Sequence, residues 1–453
     1  MSSWKFYIVT FGCKVNQYES QSLREAWERF GGEECECPEV ADVICINSCA
    51  VTAKGERDAR NAVFRLRRDA PSARLILTGC ATKFFAGYRP RKGSNRTAPD
   101  ILLPQDKKSL LLADPRTPAM LADMSDTAPD AFFPPFRINS FKRARPVVKV
   151  QDGCTHRCTF CVVPHTRGPA KSRQASEVLA EIRRLLRAGH AEIMLSGVNL
   201  HQYGRDNPDF GDFWSLLSML ETKLADEFAG ISRFRISSLE PSQLTRRGLD
   251  TLAASRMVCP HLHLSLQHVS PAVLRRMGRG HYSARNVAEA VAALAELWPV
   301  MGLGADILVG FPGETETDMS LLTDFVRELP FSYAHVFPWS CRPDTAAAGF
   351  DGQMPVAVRQ TRAARVREVV AQRRKAFLQR QLALDHMLIA TDGLKTATES
   401  LKGVNEYYIS CVFDSAPKKI CAFRKIGLVP AKPVGLTGSG LVVEAVYHFS
   451  EVQ

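Results

Sequence analysis

The chain has 453 residues, 45% of them hydrophobic and 23% charged, a balance that fits soluble globular protein in two or three domains. No apolar run approaches the roughly 20 residues needed to cross a bilayer, and Met1-Ser2-Ser3-Trp4-Lys5 shows no secretory signal, so membrane-spanning classes are set aside and a cytoplasmic location is expected. Lysine plus arginine exceed aspartate plus glutamate by 12, which suggests a polyanionic partner, and 13 cysteines read as metal ligands and buried thiols rather than disulfides.

Apolar runs at Phe6–Val9, Val43–Ile46 and Leu75–Leu77 alternate with helical stretches at Glu19–Phe30 and Ala53–Arg68, which predicts a parallel sheet with crossover helices. Ligands of such sheets bind beyond the carboxyl ends of the strands. Cys13, Cys49 and Cys80 each follow one of these strands, so adjacent parallel strands would bring the three thiols to one edge. Cys35, Cys37 and Cys45 read as structural. Proline-rich sequence from about 99 to 145 reads as a linker or irregular docking segment, with one strand and one short helix expected in Ile101–Leu112.

From Pro146 six strands are expected at Val147–Val150, Glu192–Leu195, Arg233–Ser237, Leu262–Leu266, Ala305–Val309 and Ala334–Phe337, with helices between them. This is the pattern of a parallel partial barrel. The first strand runs into Cys154, Cys158 and Cys161, spaced four and three apart. Three thiolates on one loop make an incomplete shell for a 4Fe–4S cluster, with one iron free to bind something else. The competing reading is a structural zinc site completed by His156, His165 or a distant cysteine. Ser196-Gly197-Val198-Asn199, Ser238 and Glu240, Gln267 and Gly310 fall at the strand ends, where a barrel of this kind carries its function.

Between Arg359 and Arg380 eight basic residues face one acid, Glu368. That imbalance makes the helix a candidate for gripping phosphates, beside the plainer reading of a solvated face. After His386 short alternating runs at Met387–Ala390, Glu406–Phe413 and Leu441–Phe449, punctuated by glycine, suggest a small β-barrel or sandwich. Tyr407, Tyr408 and Phe423 are either its core or a platform for single-stranded nucleic acid. The expected architecture is α/β throughout the first two parts: an N-terminal parallel cluster domain with linker over 1–145, a partial (β/α)6 barrel with the basic helix over 146–384, and a β-rich barrel over 385–453.

The motif Cys154-x3-Cys158-x2-Cys161, with Phe160 before the last cysteine, resembles the radical S-adenosylmethionine superfamily. The order of further motifs resembles its methylthiotransferases. These are Thr10-Phe11-Gly12-Cys13-Lys14-Val15-Asn16-Gln17-Tyr18-Glu19-Ser20, Ile46-Asn47-Ser48-Cys49, Thr78-Gly79-Cys80, Gly197-Val198-Asn199, Ser237-Ser238-Leu239-Glu240-Pro241 and Gly310-Phe311-Pro312-Gly313-Glu314. The resemblance implies a second 4Fe–4S cluster on Cys13, Cys49 and Cys80, which supplies or carries sulfur, and a C-terminal domain of the TRAM type. It implies S-adenosylmethionine as cofactor, with Phe160, Gly197, Asn199, Ser237, Glu240, Gln267 and Arg173 as candidate cofactor-binding residues and Arg167 near cofactor or substrate. An electron donor, a sulfur source and a tRNA anticodon loop are the implied partners.

The Cys-Lys-Val-Asn-Gln-Tyr-Glu form of the first motif is similar to the branch that methylthiolates carbon 2 of N6-threonylcarbamoyladenosine beside the anticodon. The alternatives are an isopentenyladenosine or a ribosomal-protein aspartate as substrate, or a zinc-containing RNA-binding protein. Ala81-Thr82, Ser265-Leu266-Gln267-His268-Val269-Ser270 and Trp339-Ser340-Cys341 depart from the family pattern.

Overall fold

A computed structural model describes residues 3–85, 98–117, 133–142, 145–391, 400–414 and 427–446. The first part is a five-stranded parallel sheet. Its strands are β1 (Trp4–Thr10), β2 (Gly32–Glu34), β3 (Val43–Ser48), β4 (Arg74–Gly79) and β5 (Ile101–Leu103), in spatial order β2-β1-β3-β4-β5. All six residues of β3 are buried, as a central parallel strand covered on both faces requires. Helix α1 (Lys14–Arg29) begins five residues before the expected Glu19, because Cys13 takes the extended N-cap conformation at the strand exit. Helix α2 (Ala53–Asp69) is capped by the Thr52 side chain, which accepts from the Gly55 N–H.

Residues 133–142 form a docking segment rather than a free linker. Their backbone is bonded to both neighbouring parts: Tyr18 donates to the Phe136 carbonyl at 2.7 Å, and Ile138 N–H donates to Glu181 at 2.9 Å.

The second part carries six parallel strands: β6 (Val147–Asp152), β8 (Glu192–Gly197), β9 (Arg233–Ile236), β11 (His261–Gln267), β12 (Gly302–Val309) and β13 (Phe331–Pro338). The short β7 (Lys171–Ser172) and β10 (Ser238–Leu239) complete two four-stranded sheets, β7-β6-β8-β9 and β10-β11-β12-β13. A bridge from Phe234 to Val258 links them into one curved wall. The intervening helices α3 (Thr82–Phe85), α4 (Val163–Arg167), α5 (Ala175–Arg187), α6 (Phe213–Phe228), α7 (Arg246–Ala254), α8 (Pro271–Arg276), α9 (Ala284–Leu297) and α10 (Glu316–Glu328) follow in chain order; all but α3 belong to this part. The wall is open between β6 and β13, and α1 packs against β6 at that seam.

The basic helix α11 (Val356–Gln381) lies along β13. Half of its eight cations are spent inside the fold. Arg359 donates to the Trp339 carbonyl at 2.5 Å, Arg362 reaches Glu314 at 2.7 Å, Arg367 donates to the Val336 carbonyl at 2.8 Å, and Arg374 to the Ser332 carbonyl at 3.4 Å. Half of its basic excess is therefore a packing device, which the charge pattern alone does not reveal.

The last part is a closed five-stranded barrel of β14 (Met387–Thr391), β15 (Lys402–Asn405), β16 (Ser410–Phe413), β17 (Leu428–Leu436) and β18 (Leu441–Ala445). The expected single run Glu406–Phe413 is instead a turn followed by β16, with Tyr408 at φ +68° between β15 and β16. That turn is wedged into the foot of the partial barrel. Arg233 and Arg235 donate to the carbonyls of Leu388, Val404, Asn405 and Glu406 at 2.8–3.0 Å. Tyr408 stacks near His261, with ring centroids 4.8 Å apart. Tyr407 and Tyr408 thus serve docking. Phe423 lies outside the described residues.

Candidate active site between two cysteine triads

The loop after β6 is held open by backbone and amide contacts. Gly153 has φ +65°, and a Cβ there would meet the Pro169 carbonyl oxygen at 1.9 Å, so only glycine fits. Gln151 donates to the carbonyls of Asp152 and Gly153, and its Oε1 accepts from Asn199 N–H at 2.8 Å. Cys154 N–H donates to the Gly168 carbonyl at 3.0 Å, Thr155 N–H to Gln202 Oε1 at 2.7 Å, and Thr159 N–H to the Met277 carbonyl at 3.0 Å. This scaffold turns three thiols inward. Asn199 Nδ2 stands 3.8 Å from Cys154 Sγ, and an Arg279 guanidinium nitrogen stands 3.8 Å from Cys158 Sγ. Burial pushes the Cys161 thiol up to about 12, with Cys158 and Cys154 adding to the shift. A metal centre held there would supply the charge that favours their thiolate forms.

Cys13, Cys49 and Cys80 come from three separate strand exits. Registers β1–β3 and β3–β4 place Thr10 beside Asn47 and Ser48 beside Gly79, which brings the exits together. Gly12, at φ +88°, would press a Cβ to 2.5 Å from Cys49 Cβ. Burial pushes the Cys49 thiol up to about 11, and Cys80 and Cys13 raise it further. A cleft of about 490 Å³ opens beside Cys80. It is lined by Cys80 and Gln105 on one side and by Pro164, His165, Arg167 and Gly168, which follow the contiguous triad, on the other.

Beneath the cleft lies a buried charge cluster that the motif reading leaves unassigned. Glu19 binds Lys108 at 2.6 Å, Lys149 at 2.8 Å and Arg167 at 3.1 Å; Asp152 binds Lys149 at 2.7 Å and Arg167 at 2.8 Å. Burial alone would raise the Glu19 carboxyl, but Arg167, Lys108 and Lys149 hold it well below the usual range. Arg167 also lies in the electrostatic field of Cys80 and Cys13, so a residue on the contiguous triad's side acts directly on the dispersed one.

The other expected cofactor residues divide. Gly197 and Asn199 sit at the loop, Phe160 packs edge-on to Phe311 at 6.4 Å, and Ser237 is buried at the end of β9. Gln267 closes β11 at φ +57°, an uncommon conformation for a non-glycine residue and one that recurs at functional sites. Glu240 is 3% exposed and both its oxygens lack an aligned hydrogen bond. Around it stand Arg279 at 3.1 Å, His156 at 3.3 Å and His281 at 3.7 Å. Burial would raise the Glu240 carboxyl, yet these neighbours hold it at about 2. Arg173 does not reach the mouth: it bonds Glu181 at 2.8 Å and Tyr18 Oη at 3.1 Å, where α1 meets α5. Arg279, Gln151, Gln202 and His281 join the site without having been singled out in the sequence. Arg279 had a signal, an arginine between Gly278 and Gly280 straight after a helix.

Of the zinc reading's ligands, His165 is exposed, while His156 turns to Glu240. His156, His201 and Glu240 do place ligand atoms within 4.8 Å of one another. Arg279 on the same carboxylate opposes a cation there.

The radical SAM superfamily matches residues 148–326, and the family described as "Uncharacterized protein family UPF0004" matches residues 5–87. The chain is similar to the Threonylcarbamoyladenosine tRNA methylthiotransferase MtaB of Bacillus subtilis, 34% identical over 79% of this chain and 78% of that protein. The chain belongs to the radical S-adenosylmethionine methylthiotransferase family. It is also similar to the MtaB protein of Aquifex aeolicus, 30% identical over 82% and 89% of the two chains. A tRNA-2-methylthio-N(6)-dimethylallyladenosine synthase of Sorangium cellulosum is 33% identical over 80% and 77%. Members of this family are iron–sulfur enzymes that use a 4Fe–4S cluster with S-adenosylmethionine. The residues here fit that requirement: three inward thiols on one loop, and a buried carboxylate whose oxygens still have acceptor capacity. Among the described residues no helix is long and apolar enough to cross a membrane.

Proposed function

We propose that this enzyme methylthiolates carbon 2 of N6-threonylcarbamoyladenosine beside the tRNA anticodon, with Cys154, Cys158 and Cys161 holding one 4Fe–4S cluster and Cys13, Cys49 and Cys80 a second. The observation that supports the two-cluster reading is the convergence of Cys13, Cys49 and Cys80 at one sheet edge, with the segment after Cys161 forming part of the cleft beside Cys80. When bound, the first cluster and S-adenosylmethionine supply a carbon radical that can remove an unreactive aromatic hydrogen, and the second cluster supplies methylated sulfur in its place. The chain's own residues position these groups. Glu240 accepts from donor groups of the cofactor, Arg279 fixes Glu240 and stands over Cys158, and Asn199 turns towards Cys154.

The target base must leave its stack to reach such a cleft, which an anticodon loop permits more cheaply than a duplex. The terminal barrel docks at the foot of the partial barrel, at the start of β9 rather than at the strand ends that carry the contiguous triad. The threonylcarbamoyl substrate is favoured over isopentenyladenosine by the Cys13-Lys14-Val15-Asn16-Gln17-Tyr18-Glu19 motif and by the MtaB relatives.

The test is an in vitro reaction of reconstituted enzyme with anticodon stem-loops carrying either nucleoside. Conversion of the threonylcarbamoyl RNA is expected; conversion of the isopentenyl RNA alone would overturn the substrate assignment. Glu240→Ala should weaken S-adenosylmethionine binding in equilibrium dialysis, and unchanged affinity would remove Glu240 from the site.

A further inference from the structure

The curved wall is open between β6 and β13, and the N-terminal part is fastened to both edges of that gap. On the β6 side the fastening is the Glu19 cluster, through Lys149 and Arg167. On the β13 side it is the rim segment 339–347, which leaves the end of β13 and touches the surroundings of both cysteine triads.

This segment is anchored in its own part first. Trp339 N–H donates to the Val309 carbonyl at 2.8 Å, and Arg359 on α11 donates to the Trp339 carbonyl at 2.5 Å. Thr345 Oγ1 closes a turn onto the Arg342 carbonyl at 2.7 Å, with Asp344 at φ +63°, an uncommon backbone for a residue other than glycine. Ala347 N–H donates at 2.9 Å to the carbonyl of Thr159, between Cys158 and Cys161. In the other direction the segment grips the exits of the dispersed triad. Ser340 Oγ accepts at 3.1 Å from the N–H of Ala53, the first residue of α2 after Cys49, and so satisfies an orphaned helix donor. Arg342 binds Glu56, in the first turn of α2, at 2.6 Å. The same guanidinium lies over the ring of Phe84, on α3 after Cys80, at 4.7 Å. Arg342 is only 3% exposed in this pair, whereas the outer Lys83–Asp344 pair is 39% and 57% exposed and contributes little.

One fastening leaves two bodies free to pivot; a second on the far edge of the gap fixes their separation. We propose that segment 339–347 sets the spacing between the two cluster sites and that Arg342 is its positioning residue. The proposal rests on the two-cluster reading above and deepens it. Sulfur transfer to a carbon radical tolerates little displacement, since a misplacement of about 1 Å can cost about a hundredfold in rate. Arg342 suits the task because a planar guanidinium pairs with a carboxylate and stacks on a ring at once, which a lysine ammonium does not.

The experiment uses reconstituted holoenzyme with both clusters reduced and reads the dipolar interaction between them by pulsed electron paramagnetic resonance. Arg342→Ala should keep the wild-type iron content and shift or broaden the inter-cluster distance distribution. In the same samples methylthiolation of an anticodon stem-loop should fall at least about tenfold, while reductive cleavage of S-adenosylmethionine continues at the wild-type rate. Arg342→Lys should fall between the two. An unmoved distance distribution overturns the proposal whatever the activity, as does a shifted one with full methylthiolation. Iron lost from either triad in Arg342→Ala also overturns it, because Arg342 would then build a site rather than space two. Should that variant not fold, Arg342→Lys and Ser340→Ala are read in the same way. Wild-type iron of about four atoms per chain instead of about eight removes the two-cluster reading itself; full iron with an unmoved distance removes only the spacing role.

Discussion

The two cysteine triads are assembled by opposite routes. Cys154, Cys158 and Cys161 lie on one loop, and their convergence depends on local backbone: Gly153, the Gln151 amide and a few carbonyl acceptors. Cys13, Cys49 and Cys80 converge only because three parallel strands keep their register. The first site is a property of a segment, the second of a fold. A contiguous site should survive stress that loosens the N-terminal sheet, and a dispersed one should not.

The largest effect expected on that comparison is on metal content. Two clusters imply about eight iron atoms per chain. Replacing Cys154, Cys158 and Cys161 by serine should leave about four, as should replacing Cys13, Cys49 and Cys80. Iron analysis with Mössbauer spectroscopy would show this, and a full loss from either variant would mean that the sites are not independent.

Next comes the link between them. Glu19→Gln leaves Lys108, Lys149 and Arg167 with Asp152 as their one remaining carboxylate in the cluster. Breaking a buried charge cluster in this way costs about 3–5 kcal/mol. Denaturant titration should locate the loss in the N-terminal sheet, and the dispersed cluster should be the one that leaches.

Gly153→Ala attacks the other site. A positive φ and a backbone clash together cost about 2–3 kcal/mol, and the contiguous cluster should be lost while the dispersed one keeps its spectrum.

The smallest effect is a pH dependence on the barrel side. Burial lowers the His268 imidazole to about 4, outweighing the pull of Asp318. Its folded value lies below the unfolded one, so the unfolded chain binds more protons between the two. Stability is therefore lost as pH falls below about 6.5, by about 2 kcal/mol at pH 5. His268→Gln should remove that part of the slope in thermal melts.

The same contrast explains what the sequence made legible. The contiguous triad was readable as a candidate metal loop from spacing, and the six barrel strands from apolar runs bounded by polar ends. The convergence of Cys13, Cys49 and Cys80 was readable from strand order, but not the charge cluster under them. Glu19, Lys108 and Lys149 are far apart in the chain, and their side chains meet only after the sheet docks on the barrel. Arg173 was a cofactor candidate through the family resemblance alone; its guanidinium is claimed by Glu181 and Tyr18. The arginines of α11 looked available because a sequence does not show carbonyl acceptors. Strands β15 and β17 escaped notice because glycine and proline interrupt their alternation at Gly403, Pro430 and Pro433.

The most direct test of the central claim is nucleoside mass spectrometry of tRNA from cells with and without this gene. Loss of the 2-methylthio derivative of threonylcarbamoyladenosine on deletion, with its unmodified precursor accumulating, is the predicted result. Persistence of that derivative in a deletion strain with no homologue would contradict it.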